Sequence, residues 1–288
     1  MPETPAFVSA DWLHGHLDDP ALRLLDLSWY LPQMGRDARA EYLAAHIPGA
    51  VFADLDTLCD PDSPLPHTLP TAQRFAAVAG RELGVGTDTH VVLYDGSGVN
   101  LSAARGWWSF RVFGHDPVSV LDGGIGAWRA AGYSVASGVV VPPPAHFPDR
   151  GRRDDLVRQL DAVRALAAGG TEDGVAPQLV DVRAAARFRG EVPEPREGVR
   201  AGHIPGSRNL PFTTLVDPAT GLALRGDALR DLLRDAGVEP GRPVVATCGS
   251  GVTACTLALA LHTLGHPDAA VYDGSWTEWG GRRDTPVG

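Results

Sequence analysis

The chain has 288 residues, with 25 basic and 35 acidic side chains and a formal net charge of −10. An acidic chain repels phosphate backbones, which argues against nucleic acid as a partner. All the basic residues are arginine, and this excludes Schiff-base enzymes, pyridoxal-phosphate enzymes and phosphate loops that need a lysine. No apolar run approaches the roughly 18 residues of a membrane helix, and the first ten residues fit neither a secretory nor a mitochondrial signal. We therefore expect a cytoplasmic protein with no membrane partner.

The sequence is predicted to contain two copies of one domain. Four segments of the first half return in the same order in the second half. The pairs are 24–27 with 179–183, 42–50 with 199–207, 91–100 with 244–253, and 120–123 with 271–274. A proline-rich stretch without a helical period separates the copies and is typical of an extended spacer. We expect a first domain over residues 1–138, a linker over 139–155 and a second domain over 156–288.

Each copy has the pattern of a parallel α/β fold. Short β-branched runs predict buried strands, and they alternate with amphipathic stretches that predict helices. In the second copy, strands are expected at residues 179–182, 244–247 and 269–272, and helices at 227–236 and 252–264. This alternation predicts a parallel sheet flanked by helices, in which ligands bind beyond the carboxyl ends of the strands.

The segment around Cys248 is the strongest candidate for a functional site. It reads as a strand, a loop of small residues and then a helix, with the sequence Val-Val-Ala-Thr-Cys-Gly-Ser-Gly-Val-Thr-Ala. Gly249 and Gly251 allow successive backbone N–H groups to point inward, and the following helix adds its positive N-terminal end. A cysteine in such a loop is expected to be a thiolate at neutral pH, and therefore a nucleophile rather than a small buried hydrophobe.

The first copy lacks this cysteine. Asp95 takes its place in an almost identical loop, so we expect the first copy to be structural and to form one wall of the site. Of the other cysteines, Cys59 is predicted to be an inert loop thiol and Cys255 a buried core residue. Three cysteines without CxxC pairs argue against a disulfide framework or a structural zinc site. No metal or organic cofactor is expected.

Two motifs resemble the signatures of the rhodanese (sulfurtransferase) family. Residues 42–50 contain Tyr-x-x-x-His-Ile-Pro-Gly-Ala, and residues 269–279 end in Tyr-Asp-Gly-Ser-Trp-Thr-Glu-Trp. The resemblance covers essentially the whole chain and implies two tandem rhodanese-like domains with the active cysteine in the second. The loop Cys-Gly-Ser-Gly-Val-Thr-Ala resembles the form found in 3-mercaptopyruvate sulfurtransferases. Relatives that act on thiosulfate usually carry basic residues where this chain has Gly249 and Ser250. His46 and His203 are expected to be structural.

The resemblance also implies which residues bind the substrate. Six arginines lie in the segment from Arg183 to Arg208, and guanidinium groups suit carboxylates because they offer two parallel donors. Arg187 and Arg196 match the positions that hold the carboxylate and ketone oxygens of mercaptopyruvate, and Arg189 is a third candidate. The further substrate-binding residues predicted in the loop are Gly249, Gly251, Val252 and Thr253.

A serine-type relay is implied as well. Ser250 lies in the loop, and His67 and Asp56 match the histidine and aspartate of the relay, with Asp54 as an alternative to Asp56. The aspartate would orient the imidazole, which would polarise the hydroxyl that donates to the substrate carbonyl. Because His67 and Asp56 come from the first half of the chain, the site is expected between the domains.

Together these features predict a sulfurtransferase. Cys248 would attack the sulfur of 3-mercaptopyruvate and keep it as a persulfide, while pyruvate leaves as its enolate. Ser250, backed by His67, would help to protonate the enolate. A thiol, a thioredoxin-like protein or cyanide would then accept the sulfur.

Three alternatives remain open at this point. The sulfur donor could be thiosulfate, or the chain could be a non-catalytic sulfur-carrier or regulatory module, as the loop without a thiol in the first copy suggests. Cysteine-loop phosphatases and arsenate reductases use a related loop, but they need an arginine six positions after the cysteine. This chain has Ala254 there.

Overall fold

The structure is a computed structural model that describes residues 4–172, 174–239 and 241–288. The chain divides into two compact units. Unit 1 consists of residues up to 61, 69–153 and 219–222, and unit 2 consists of residues 62–68, 154–218 and 223–288. Each unit therefore contains one short segment from the other half of the chain. These two segments occupy corresponding positions of the repeat, since Asp60-Pro61 in one copy matches Asp217-Pro218 in the other.

Unit 1 is built on a five-stranded parallel sheet with the strand order β1-β5-β4-β2-β3. In its central pair, Leu22 lies opposite His90 and Asp26 lies opposite Tyr94. The strands are β1 (Phe7–Val8), β2 (Leu22–Asp26), β3 (Val51–Phe52), β4 (His90–Tyr94) and β5 (Val118–Leu121). The helices are α1 (Ala10–His14), α2 (Ala38–Ala44), α3 (Ala72–Ala77), α4 (Leu101–Val112) and α5 (Gly124–Ala130).

Unit 2 repeats this arrangement with the strand order β6-β10-β9-β7-β8, again all parallel. In its central pair, Gln178 lies opposite Val244 and Asp181 lies opposite Thr247. The strands are β6 (Val157–Arg158), β7 (Gln178–Asp181), β8 (Arg208–Asn209), β9 (Val244–Thr247) and β10 (Ala270–Tyr272). The helices are α6 (Leu160–Ala167), α7 (Ala185–Phe188), α8 (Gly226–Asp235), α9 (Ala254–Thr263) and α10 (Ser275–Gly281).

Burial explains why these segments form their elements. The central strands β4 and β9 are almost wholly apolar and buried, as expected for parallel strands covered on both faces. Helix α9 is buried along most of its length and is correspondingly rich in alanine and leucine. Helix α8 instead buries Leu229 and Leu233 on one face and exposes charged residues on the other, which is the pattern of a surface helix.

The predicted fold class is confirmed: each unit is a parallel sheet flanked by helices. The predicted elements of the second copy are present, with ends displaced by one or two residues. Helix α9 begins at Ala254 instead of residue 252, because Gly251 has a left-handed φ of +78° and Val252 and Thr253 still belong to the loop. Residues 139–153 form neither helix nor strand. Among the residues described, no helix has the length and apolar character to span a membrane.

Candidate active site

The residues between β9 and α9 form a loop of small residues that begins with Cys248. This loop, residues 248–253, is called the Cys248 loop below. Cys248 itself is only 1% exposed. Within the described part of the chain, the backbone N–H groups of Gly249, Ser250, Val252 and Thr253 donate to no protein acceptor. Unpaired N–H groups at the start of a helix favour an anion, so the loop is arranged to stabilise negative charge.

The corresponding loop of unit 1 shows the same arrangement with an anion in place. The Asp95 carboxylate accepts from the N–H of Ser97 at 2.8 Å, and from the N–H of Ala103 in the first turn of α4 at 2.9 Å. Ser97 is the counterpart of Ser250, and Gly98, at φ +76°, is the counterpart of Gly251. An anionic side chain at the Cys248 position is thus compatible with this loop shape.

Ser250 is hydrogen-bonded to His67. The Ser250 Oγ lies 2.9 Å from Nδ1 of the His67 ring. His67 is buried and has a left-handed φ of +61°, a conformation that non-glycine residues rarely adopt. It belongs to unit 2, through the short segment 62–68. Two of the three relay residues predicted from the sequence are therefore in contact.

The predicted aspartate of the relay belongs to unit 1. Asp56 lies in the short 3-10 turn Leu55–Leu58 and its side chain is exposed. Asp54, the alternative, caps this turn by accepting the N–H of Asp56 at 3.0 Å. The assignment of Asp56 to the relay stays a prediction.

Arg187 lies beside the Cys248 loop. A Cβ atom placed on Gly249 would lie 3.2 Å from Nη2 of Arg187, so the guanidinium approaches the loop where a larger residue would meet it. Nε and Nη2 of Arg187 donate to Glu194, with 3.2 Å between Nε and Oε1. Glu194 also accepts from Nη1 of Arg183 at 2.8 Å. One carboxylate therefore fixes both arginines.

Arg183 is the buried centre of this ion-pair network. It donates to both carboxylate oxygens of Asp181 at the end of β7, and its guanidinium lies 4.5 Å from the ring centroid of Trp276. Burial raises the pKa of the Asp181 carboxyl above its ordinary value, while the charge and hydrogen bonds of Arg183 act in the opposite direction. A buried carboxylate–arginine chain of this kind holds Arg187 in a defined position.

The other candidate arginines differ from Arg187. The Arg189 side chain is exposed and pairs with Glu191, with 2.6 Å between Nε and Oε1. Arg196 is half-buried in the loop that follows α7, and its role in substrate binding stays a prediction.

The histidines of the two His-Ile-Pro-Gly turns make local contacts. His46 is buried and stacks on Tyr42, with Nδ1 2.9 Å from the Tyr42 carbonyl oxygen. His203 stacks on Phe188 in the same way, with Nδ1 2.9 Å from its carbonyl oxygen. These contacts agree with the structural role expected for both.

The three cysteines are free thiols and all are buried. Cys255 Sγ lies 3.3 Å from the carbonyl oxygen of Gly251, and Cys59 Sγ lies 3.1 Å from that of Leu55. In the ranges that the structure describes, no three histidine, cysteine, aspartate or glutamate side chains form a group that could hold a metal ion.

Two further residues that bind the Cys248 loop were not expected from the sequence. Ser275 and Thr277, at the start of α10, hydrogen-bond its backbone through their hydroxyl groups. A signal was present in the repeat, because the first copy has Gly124 and Gly126 at the corresponding positions. Hydroxyl residues that occur at these positions in the copy with the thiol, and are glycine in the other copy, suggest a role at the Cys248 loop.

Comparison with known proteins agrees with this geometry. The model of the rhodanese-like domain matches residues 9–131 and again residues 162–282. The chain is 47% identical to human 3-mercaptopyruvate sulfurtransferase over 95% of this chain and 91% of that protein. It is 44% identical to 3-mercaptopyruvate sulfurtransferase of Escherichia coli K12, over 99% of this chain and 98% of that protein.

The architecture also matches a solved structure. The crystal structure of SseA from Escherichia coli, described as a 3-mercaptopyruvate sulfotransferase with the rhodanese fold, superposes with a TM-score of 0.83 and 41% identity. The match covers 95% of this chain and 99% of that one. The resemblance seen in the sequence motifs is confirmed, and the chain belongs to the rhodanese-like family, with two such domains in tandem.

Proposed function

We propose that the protein is a sulfurtransferase that takes sulfur from 3-mercaptopyruvate through a persulfide on Cys248. The observation that carries the proposal is the Cys248 loop, where the thiol is buried and where the N–H groups of Gly249, Ser250, Val252 and Thr253 have no acceptor among the residues described. The names of the relatives and the neutral residues Gly249 and Ser250 support this donor over thiosulfate.

The reaction follows from a thiolate at this position. The Cys248 thiolate attacks the sulfur of 3-mercaptopyruvate, an S–S bond forms, and the C–S bond breaks with its electron pair on carbon. Pyruvate therefore leaves as its enolate and must gain one proton. The outer sulfur gives up the proton of the donor's thiol, which balances the proton that the enolate gains, and the N–H groups of the loop stabilise the persulfide anion that remains.

The hydroxyl of Ser250 supports proton delivery to the enolate. Its hydrogen bond to His67 at 2.9 Å gives it an imidazole partner that can pass on a proton. Arg187, held by Glu194, would bind the substrate carboxylate together with Arg196.

The sulfur is then passed to an acceptor thiol, a thioredoxin-like protein or cyanide. Nucleophilic attack of the acceptor on the outer sulfur restores the Cys248 thiolate, so the enzyme alternates between two forms and should show ping-pong kinetics. Three free cysteines are in keeping with the reducing, cytoplasmic location predicted from the sequence.

Steady-state kinetics with two donors test this proposal. We expect kcat/KM for 3-mercaptopyruvate to exceed that for thiosulfate, with cyanide or dithiothreitol as acceptor. Cys248→Ser should abolish turnover with either donor, and Cys59→Ser should not. A preference for thiosulfate would overturn the assignment of the donor, and turnover by Cys248→Ser would overturn the persulfide. One sulfur bound without repeated turnover would identify a sulfur carrier instead of an enzyme.

A further inference from the structure

The start of α10 binds the backbone of the Cys248 loop at four points. The N–H of Cys248 donates to Ser275 Oγ at 3.2 Å, and the N–H of Trp276 donates to the Cys248 carbonyl at 3.0 Å. The carbonyl of Gly249 accepts twice from Thr277, from its N–H at 2.8 Å and from its hydroxyl at 2.6 Å. Both carbonyl groups at the start of the loop are therefore fixed on α10.

The contacts of these two carbonyl groups with α10 also fix the direction of the N–H groups in the same peptides. In a planar trans peptide the C=O and the N–H point in opposite directions, and the peptides here are trans. Since the carbonyls of Cys248 and Gly249 face α10, the N–H groups of Gly249 and Ser250 must face away from it. These are two of the N–H groups that have no acceptor in the described residues. Helix α10 thus directs both N–H groups away from itself.

The two copies of the repeat differ at these contacts. Ser275 has a left-handed φ of +49°, and its counterpart Gly124 has a φ of +56°. A serine at such a φ costs backbone strain that glycine avoids, and residues held this way are concentrated at functional sites. The hydroxyl of Ser275 gains a hydrogen bond from Cys248 N–H that glycine could not accept.

Thr277 shows the same contrast. Its counterpart Gly126 has no side chain, and the carbonyl of Gly96, which corresponds to that of Gly249, accepts instead from Nη1 of Arg36 at 3.1 Å. At this carbonyl the copy that carries the thiol therefore uses a hydroxyl of α10, whereas the first copy uses an arginine.

We propose that Ser275 and Thr277 are positioning residues that hold the N–H groups of the Cys248 loop towards the sulfur and so favour its thiolate and persulfide forms. The proposal deepens the proposed function and rests on it for its significance. Both residues act through the loop backbone. Thr277 fixes the Gly249 carbonyl and with it the direction of the Ser250 N–H, and Ser275 fixes the backbone at Cys248 by accepting its N–H. The N–H groups oriented in this way stabilise the charge on sulfur.

Alkylation of Cys248 measures this effect without any sulfur donor. The rate of reaction with iodoacetamide is followed at Cys248 by peptide mass spectrometry from pH 5 to pH 9, because only the thiolate reacts. Thr277→Val removes the hydroxyl at nearly constant volume. We expect a higher midpoint of the pH profile and alkylation slowed about three- to tenfold at pH 6, which corresponds to the loss of one hydrogen bond. Thr277→Ser keeps a hydroxyl and should restore both the midpoint of the pH profile and the alkylation rate at pH 6.

Two further variants make the result specific. Ser275→Gly introduces the residue that the first copy tolerates at this φ, so it should fold and should slow alkylation in the same direction. Thr263→Val removes a hydroxyl that donates to the Ala260 carbonyl at 2.7 Å at the far end of α9, and it should leave the pH profile unchanged.

The outcomes separate this inference from the proposed function. Wild-type pH profiles for both Thr277→Val and Ser275→Gly would overturn it, and so would lower melting temperatures without a change in the midpoint. A wild-type enzyme without sulfurtransferase activity would overturn the proposed function, while the shifted alkylation profile would still support the positioning of the donors.

Discussion

Arg187 uses one edge of its guanidinium within the protein and leaves another edge free. Nε and Nη2 bind the Glu194 carboxylate, and Nη1 has no acceptor in the portion of the chain that the structure describes. The side chain is 24% exposed, which is enough to meet a ligand. A guanidinium can bind two carboxylates at once through its two edges, whereas an ammonium group has no such fixed geometry.

Arg187→Lys is therefore expected to weaken substrate binding. Lysine keeps the charge but cannot hold Glu194 and a substrate carboxylate in the same plane. We predict that KM for 3-mercaptopyruvate rises about tenfold or more, with a smaller change in kcat, because a charge-assisted hydrogen bond is lost. Steady-state pyruvate formation measures both constants.

Arg189→Lys provides the matched control. Arg189 is exposed and pairs with Glu191, so its replacement should leave KM unchanged within the error of the measurement. If the two variants gave the same KM, Arg187 would have no special role in binding the substrate.

The residues differ in how they could be predicted. Cys248 and its glycines follow from local chemistry, because a cysteine between a strand and a helix start has a defined electrostatic environment. The hydrogen bond between Ser250 and His67 joins residues 183 positions apart, and only the family resemblance implied it. The role of Glu194 could not be predicted, because its pairing with Arg183 and Arg187 depends on how the 190–207 loop folds. In the sequence it is one acidic residue among several.

On the scale of elements, the strand–loop–helix unit carries the site in unit 2 and a structural carboxylate in unit 1. Asp95 is 1% exposed and accepts from the N–H groups of Ser97 and Ala103. It also accepts from the hydroxyls of Ser97 and Ser102. The carboxylate joins the end of β4 to the first turn of α4, where a negative charge is favourable.

Asp95→Ala should destabilise the protein, because it leaves buried N–H groups without an acceptor. We expect the free energy of unfolding to fall by about 2–4 kcal/mol, as measured by chemical denaturation. Asp95→Asn keeps one carbonyl oxygen and should cost less. An unchanged free energy of unfolding for Asp95→Ala would mean that these hydrogen bonds do not hold the loop to the helix.

Element boundaries show where sequence periodicity stops being informative. The apolar run of β9 predicted its bounds, because a buried parallel strand is apolar on both faces. The start of α9 was predicted two residues early, since Val252 and Thr253 fit the helical pattern but follow a left-handed glycine. The contacts of α10 with the Cys248 loop could not be predicted, because periodicity carries no information on hydrogen bonds between elements.

On the scale of the whole molecule, the repeat determines most of the fold. The same strand order occurs in both units, as the paired segments of the sequence predicted. The exchange of segments 62–68 and 219–222 was not predicted, because the sequence alone favoured two contiguous halves. This exchange is what makes His67, a residue of the first half, part of the unit that contains Cys248.

Stability of the molecule should depend on pH through His115. This histidine is fully buried, and the Nε2–H of its neutral ring donates to the Thr89 carbonyl oxygen at 2.9 Å. Burial lowers the pKa of His115 to about 4 from 6.5, and the charges of Arg150 and His90 contribute to this decrease. The hydrogen bond with Thr89 and the charge of Asp116 act in the opposite direction.

The direction of the effect follows from proton uptake. Between pH 6.5 and about pH 4 the unfolded chain binds a proton at His115 that the folded chain does not, so stability falls as the pH falls through this range. We predict a loss of about 2–3 kcal/mol by pH 4 from this group. Burial lowers the pKa of His90 too, and this adds a contribution of the same sign.

His115→Gln removes the titrating group and keeps a donor for Thr89. Denaturation curves at pH 7, 5.5 and 4.5 should show a smaller dependence on pH for the variant than for the wild type. Equal pH dependence in the two proteins would assign the loss of stability in acid to other groups.

The central claim is that Cys248 carries the sulfur between donor and acceptor. The most direct measurement mixes the enzyme with one equivalent of 3-mercaptopyruvate, without an acceptor, and follows intact mass and released pyruvate together. We predict one added sulfur, located on Cys248 by peptide mass spectrometry, one equivalent of pyruvate, and the loss of the added sulfur when a thiol is supplied. Release of pyruvate without added sulfur on Cys248, or with the sulfur on Cys59 or Cys255, would contradict the account.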